Sequence, residues 1–316
     1  MYKASYPKSL SVETVKPISH IVIPSSSSNI NLDHATQPAH NKCLWEIPKR
    51  DSVVSFIISH AIMAVSQTTS KPVKDPPGKY FEEPGTDDTL RHYDSRFFKG
   101  VVEPADRVES LTDMIRAYLQ FFQENSLETW IAHGTLLGWW WNGKVRPSFD
   151  ARMSRSGLSK IGTNPGERAQ ILPWDWDLDT QVSSNTLIYL SECLNQTVYN
   201  YTGSKPGNGR KRQYLLDVNP ASQDRHRGDG QNVIDARWTD ISNGIYTDIT
   251  GISELNYDTE PGVLSDKNFH QYREADIYPL RQSICEGVPA SIPFNYIGIL
   301  AAEYGNASLW RITYEK

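Results

Sequence analysis

Cysteine is scarce in this 316-residue chain: Cys43, Cys193 and Cys285 are all there is. That excludes a disulfide-dense scaffold, and the odd count leaves at least one thiol without an internal partner. Cys193 and Cys285 both fall in the expected folded part, so a pair between them stays open. No stretch reaches the ~18–20 apolar residues of a membrane span. Basic charge is not in excess either. The net charge is −5, which gives no electrostatic footprint for a nucleic acid. Aromatic residues, in contrast, are plentiful, with nine Trp and sixteen Tyr. Core packing accounts for most of them, and a sugar or nucleotide site is the second use.

The length suits one sizeable domain with tails. Residues 1–50 are rich in Ser, Pro, Asn and His and read as disordered. Residues 51–66 hold an apolar run, Val53 to Val65, preceded by Lys49 and Arg50 and followed by Ser66. This layout suits a signal-peptide core displaced by a start codon set too far upstream. A short buried or disordered segment is the alternative. Three sequons, at Asn195, Asn200 and Asn306, favour a secretory route. Residues 67–106 are a proline-rich lead-in, 107–310 the folded domain and 311–316 a tail.

Val108, Leu111, Ile115, Tyr118, Leu119 and Phe122 recur at helical spacing and predict a helix over 107–125. Thr129–Ala132 reads as a short strand, followed by a glycine turn and a helix stopped by Gly143. Further elements are a helix from Thr186 to Leu194, strands at 213–218, 233–238 and 245–250, and a helix from Asn295 to Tyr304. Helices and strands mix without a βαβ repeat, so the fold class is α+β.

The chemistry concentrates in Pro173-Trp174-Asp175-Trp176-Asp177-Leu178-Asp179. In an extended strand Asp175, Asp177 and Asp179 share one face, and Trp174, Trp176 and Leu178 the other. Like charges so crowded repel unless a cation lies between them. Oxygen ligands suit Mg²⁺ or Mn²⁺. A solvated edge strand is the plainer alternative. Upstream, Gly134 and Thr135 open a helix, whose free N–H groups suit a phosphate; simple capping is the other use of Thr135. A phosphate cradle beside a metal strand is the logic of phosphoryl and nucleotidyl transfer. Asp248, alone in the apolar run Ile245–Ile249, needs a partner or a metal. Asp235 and Asp240 are second choices, and Asp235 suits pairing with Arg237 or another basic group. Arg210, Lys211, Arg212, Arg225 and Arg227 could grip a diphosphate or form solvated loops. His133 is a candidate base or ligand, or a satisfied structural histidine. Trp139–Trp141 could stack on a base or sugar, with at least one packing inward.

These motifs together carry a resemblance. His133-Gly134-Thr135-Leu136-Leu137-Gly138 with the aspartate segment resembles the LicD family, which includes bacterial phosphocholine transferases, fukutin, fukutin-related protein and fungal mannosylphosphate-transfer proteins. Asn232–Trp238, the strand through Asp248, Glu286-Gly287, Ile292-Pro293 and Tyr304-Gly305 match it too, and Tyr214–Pro220 looks most like the fungal branch. The resemblance covers about 107–310. It implies a nucleotidyltransferase-like core, a small mixed sheet flanked by helices, that moves a sugar- or alcohol-phosphate from a nucleotide donor with a divalent metal. It implies Asp177, Asp179 and Asp248 as metal ligands with Asp175 assisting, and Gly134, Thr135, Gly138 and Arg237 at the phosphate or nucleotide. In the fungal branch it implies GDP-mannose as donor, a mannose-rich glycan or glycoprotein as acceptor, and the Golgi lumen or the exterior as location. A non-catalytic accessory protein serving a partner transferase is the alternative, as is a phosphocholine or alditol-phosphate transferase.

One departure stands out. The family's two leading motifs are joined by a short loop, whereas here Val145–Gln170 intervene, an Arg/Ser/Gly-rich stretch without apolar periodicity. Removing it leaves Asn-Gly-Lys-Ile-Leu-Pro-Trp-Asp, the family's usual run. Val145-Arg146 can be encoded as a splice donor, Thr163-Asn164 as a branch site and Gln170 as an acceptor, all in one frame. The stretch is therefore expected to be a translated intron, with a tolerated surface loop as the alternative.

Overall fold

The computed structural model describes residues 78–143, 170–203, 210–225, 232–256 and 258–310. The expected disordered segment 1–50, the apolar run 51–66, nearly all of the insert, Arg227 and the tail lie outside the described residues.

The first helix, α1 (Pro104–Glu124), begins with a proline whose fixed φ suits a first helical position. Its apolar stripe, including Leu111, Met114, Ile115, Tyr118 and Phe122, is buried. It ends where Ser126 turns left-handed (φ 56°) and Leu127 N–H reaches back to Phe122 O at 2.8 Å. Strand β1 (Trp130–Ile131) leads into α2 (His133–Gly143). Next come β2 (Leu178–Ser183), α3 (Ser184–Tyr189) with a π turn to Leu194, β3 (Thr197–Thr202), β4 (Lys211–Val218), β5 (Ala236–Asp240) and the long β6 (Tyr246–Asn256). The chain continues through β7 (Glu260–Ser265), β8 (Gln271–Arg273), α4 (Glu274–Ile277), β9 (Arg281–Cys285), β10 (Val288–Ile292) and α5 (Tyr296–Tyr304).

The sheet is mixed, in the order β1-β2-β6-β5-β4-β3, with β7 and β8 continuing from the far half of β6. The β2–β6 pair is parallel and its other pairings are antiparallel; β9 and β10 form a separate hairpin. Fold class and mixed sheet are as expected from the sequence. Trp238 on β5 anchors the core: it is fully buried, stacks on Tyr214 at 5.6 Å and meets Tyr118 and Phe121 of α1. Beneath α1 a buried ion set adds direction. Arg212 on β4 binds Asp113 of α1 at 3.0 Å and Asp240 of β5 at 2.9 Å. Each buried charge is thereby paired.

Two expectations need correction and two open alternatives are decided. The aspartate segment is not a strand throughout, because β2 begins at Leu178 and Asp175 N–H closes a turn on Leu172 O at 3.0 Å. Trp174 is exposed rather than in the core. Arg212 and Arg225 are structural ion partners rather than a diphosphate grip. Cys285 is a free, buried thiol, so the pair with Cys193 does not form. The lead-in also folds onto the sheet. Tyr80 Oη donates to Asp217 at 2.9 Å, and Arg96 bridges Asp94 (2.7 Å) and Asp217 (2.5 Å).

The two flanks of the insert come together. Asn142 Nδ2 donates to Gln170 O at 3.3 Å, and a Cβ on Gly143 would stand 3.2 Å from Gln170 Nε2. A variant lacking residues 145–169, with Lys144 joined to Gln170 so that the Gln170 bonds to Asn142 and Glu286 are kept, is therefore expected to fold with a thermal midpoint at or above that of the full chain. Loss of its cooperative melting transition would mean that the insert is integral to the domain.

Candidate functional site

The parallel register of β2 and β6 sets Asp179 opposite Asp248, and the antiparallel register of β5 and β6 sets Arg237 opposite the same Asp248. Arg237 Nε binds Asp248 Oδ1 at 2.8 Å, and its Nη2 binds Glu83 Oε1 at 2.8 Å. Its guanidinium lies 3.7 Å over the Tyr246 ring, a cation–π contact. Arg237 is thus held by two carboxylates, one of them from the lead-in.

Asp175 and Asp177 reach the same place from the loop before β2. Arg107 of α1 holds that loop: its Nη2 donates to Pro173 O at 2.9 Å and its guanidinium lies 3.8 Å over Trp176. The start of the loop is clamped by Glu286 in the β9–β10 turn. Glu286 Oε1 accepts the N–H groups of Gln170 and, at 3.0 Å, Ile171; its own N–H donates to Gln170 Oε1 at 2.7 Å. The Glu286-Gly287 motif therefore positions the aspartates.

Gly134 and Thr135 meet the cluster directly. A Cβ at Gly134 would lie 3.6 Å from Asp179 Oδ2 and 3.9 Å from Asp175 Oδ1. The Gly134 N–H lowers the Asp179 carboxyl, so the anion nearest this helix start is the protein's own. Asp179 N–H donates to Thr135 Oγ1 at 2.8 Å, tying α2 to β2. Gly138 faces elsewhere: a Cβ there would strike Gln170 O at 2.7 Å, so its role is close packing. Asp235 pairs with Arg225 and Lys267, each at 2.9 Å, and not with Arg237; Asp240 belongs to Arg212. Trp139 and Trp141 donate to Ser283 Oγ (3.0 Å) and Ser308 O (2.6 Å), fastening α2 to neighbouring segments. His133, at φ 45°, is held through Nδ1 by Glu303 Oε2 at 3.0 Å.

The electrostatics follow from crowding. Burial pushes Asp175 up to about 7, with repulsion from Asp179 adding to it. Burial also carries Asp179 up to about 6, although the His133 charge and the Gly134 N–H oppose the rise. Asp177 is raised well above the usual range by burial and by Asp179, Asp248 and Asp175 together. Asp248 is raised by burial, against the pull of Arg237. Burial lowers the His133 imidazole, but Glu303 and Asp179 outweigh it and carry it up to about 9.

The donor set is all oxygen, and Asp175 Oδ2 is buried without a hydrogen-bond partner, which suits a hard cation. The cradle is open, however. Among the described residues, the group whose ligand atoms all lie within 4.8 Å of one another is His133, Asp266 and His270, not the aspartates. An ion held by the aspartates would need further oxygen ligands, such as the waters that Mg²⁺ commonly keeps. Sequence reasoning missed Glu83, Arg107 and Glu303. Arg107 sat at the start of a periodic helix, and the others gave no local signal.

A raised carboxyl favours the folded state while protonated, and this contribution is lost as pH climbs through the folded-state value. In chelator, stability is therefore expected to fall between about pH 4 and pH 7 on account of Asp175, Asp177 and Asp179. Asp177→Asn is expected to flatten that slope and raise the melting temperature at pH 8. An unchanged slope would contradict the crowding.

No family model matches the chain. It is 35% identical over 183 residues to mannosyltransferase regulator 14 of Saccharomyces cerevisiae, which covers 55% of this chain and 16% of that protein. It is 32% identical over 185 residues to mannosyltransferase regulator 4 of the same yeast, covering 56% of this chain and 13% of that protein. The chain thus spans less than a fifth of either relative, and its sequence is similar to a portion of two fungal proteins named for regulating mannosyl transfer.

Proposed function

We propose that this chain serves mannosylphosphate transfer to glycans as a metal- and donor-binding regulator of a partner mannosyltransferase. The observation that carries the reading is the convergence of Asp175, Asp177, Asp179 and Asp248 beside the Gly134–Thr135 helix start, in a chain similar to named mannosyltransferase regulators. Asp177 and Asp179 are the proposed Mg²⁺ or Mn²⁺ ligands, with Asp248 and Asp175 assisting. The ion supplies positive charge for the diphosphate of a nucleotide sugar such as GDP-mannose. Arg237 neutralises Asp248 and so limits the charge the ion must balance. Gly134, without a side chain, lets the donor approach Asp179.

A second reading, that the chain performs the transfer itself, is favoured by the same carboxylates. Phosphoryl transfer rests on positioning and charge stabilisation, and a purely structural regulator has no use for buried, mutually repelling aspartates. Passage through the secretory pathway is part of either reading.

One set of measurements separates them. The purified chain is expected to bind GDP-mannose in a Mn²⁺-dependent manner by calorimetry, to transfer nothing to a mannan oligosaccharide alone, and to raise the rate of an added mannosyltransferase. Transfer by the chain alone establishes the second reading. Asp177→Asn with Asp179→Asn is expected to abolish donor binding and either activity while keeping the melting transition. A double variant that binds donor like the parent removes these residues from the function.

A further inference from the structure

A cavity of about 680 Å³ opens beside Asp179, lined also by His133, His270, Tyr272, Glu303 and Tyr304. Its volume falls in the ordinary range for small-molecule sites. One wall is the loop between β7 and β8. Asp266, buried at the base of this loop, accepts N–H bonds from Asn268 (2.8 Å) and His270 (3.0 Å) on Oδ1. Its Oδ2 holds His270 Nδ1 at 2.7 Å. A carboxylate accepts only, so Nδ1 carries the proton, and Nε2 is the nitrogen His270 has left for the cavity. The same loop presents Phe269, 66% exposed and held at φ 70°, at the cavity's edge.

The chemistry of the lining selects the ligand. Among its described residues there is no Lys or Arg, while Asp179, Asp276 and Glu303 are present. The one cationic group of the wall, His133, is already held by Glu303, so the wall offers no grip for a phosphate or a diphosphate. Amide, carboxylate and imidazole groups beside an aromatic face suit a neutral polyol, whose hydroxyls both donate and accept. A metal is disfavoured at His133, Asp266 and His270 because the ligand atoms of two of them, Asp266 and His133, are engaged and only His270 Nε2 is left. Asp266 uses both oxygens within the loop, and His133 meets Glu303 at Nδ1 and the Gln181 amide (3.4 Å) at Nε2.

We propose that this cavity is the site for the neutral hexose of the acceptor glycan. A sugar hydroxyl donates to His270 Nε2, and Asp266 is the residue that positions this imidazole. The shared Asp179 wall sets the bound sugar next to the donor end of the cluster. This deepens the function proposed above and rests on it for the identity of the sugar.

The test uses the full chain, with a mannobiose as ligand and saturation-transfer NMR and calorimetry as readouts. Mn²⁺ and GDP-mannose binding are measured on the same samples. The wild type is expected to bind mannobiose. His270→Ala is expected to weaken it roughly three- to tenfold, the loss of a hydrogen bond, and Ala302→Trp, which fills the cavity from α5, to abolish it. Both variants keep Mn²⁺ and donor binding. Asp266→Asn, which loses the carboxylate that holds His270 Nδ1, is expected to weaken mannobiose as His270→Ala does, and the surface change Ala302→Trp keeps the test decisive if Asp266→Asn misfolds. Mannobiose binding unaffected by His270→Ala and Ala302→Trp overturns the site. So does competition by inorganic pyrophosphate in the cavity, or Zn²⁺ binding that needs His270 without any saccharide binding. Failure of Mn²⁺ and donor binding in the wild type, with mannobiose still bound, overturns the function above and leaves the cavity standing.

Discussion

Repulsion among Asp175, Asp177, Asp179 and Asp248 is the constraint around which the surrounding structure is arranged. Each carboxyl is raised above its ordinary range by burial, and all but Asp248 lack an ion pair to a guanidinium or ammonium among the described contacts. Holding such groups together costs free energy that the rest of the domain must offset. The supports are identifiable. Arg237 and Glu83 balance Asp248, Gly134 N–H and the His133 charge stabilise Asp179, Arg107 pins the Pro173–Trp176 turn, and Glu286 clamps Gln170 and Ile171. Elements distant in sequence, from Glu83 to Glu303, converge on one place. So many supports around unfavourable charges are what the proposed function asks of a site preorganised for a cation and an anionic ligand.

That arrangement gives the similarity to fungal mannosyltransferase regulators a physical content. A regulator could act through surface contacts alone, and a cluster of buried carboxylates would then be a liability. On the proposed function, binding metal and donor would give them a use: the chain would be sensitive to donor supply, or would present donor to a partner. On the proposed function the adjoining cavity extends the same logic, since a carboxylate-bearing wall without Lys or Arg offers a diphosphate no grip and would leave the space to a neutral acceptor.

The sequence made the fold class legible, and the reasons are local. The apolar periodicity of α1, the β-branched run through Asp248 and the Asn295 cap of α5, which accepts from Gly298 N–H at 3.2 Å, are all signals within a few residues. The aspartate convergence was legible through a partly mistaken route. Alternation in a strand was expected to align the three carboxylates, whereas a turn at Pro173–Asp175 delivers two of them and the strand delivers the third. What remained hidden depends on pairing over long sequence separations. Arg212 looked like a loop cation because its partner Asp113 lies on another element, and Arg237 looked available for phosphate because Glu83 came from a segment read as a tether. Gly138 shared a motif with Gly134 but serves packing against Gln170, the last residue of the insert.

The most direct test of the metal and donor site is anomalous diffraction from crystals grown with Mn²⁺ and GDP-mannose. The account predicts one strong manganese peak between Asp177 and Asp179 with the donor diphosphate bound to it. A peak at His133, Asp266 and His270 instead, or bound donor with no manganese at the aspartates, would contradict it.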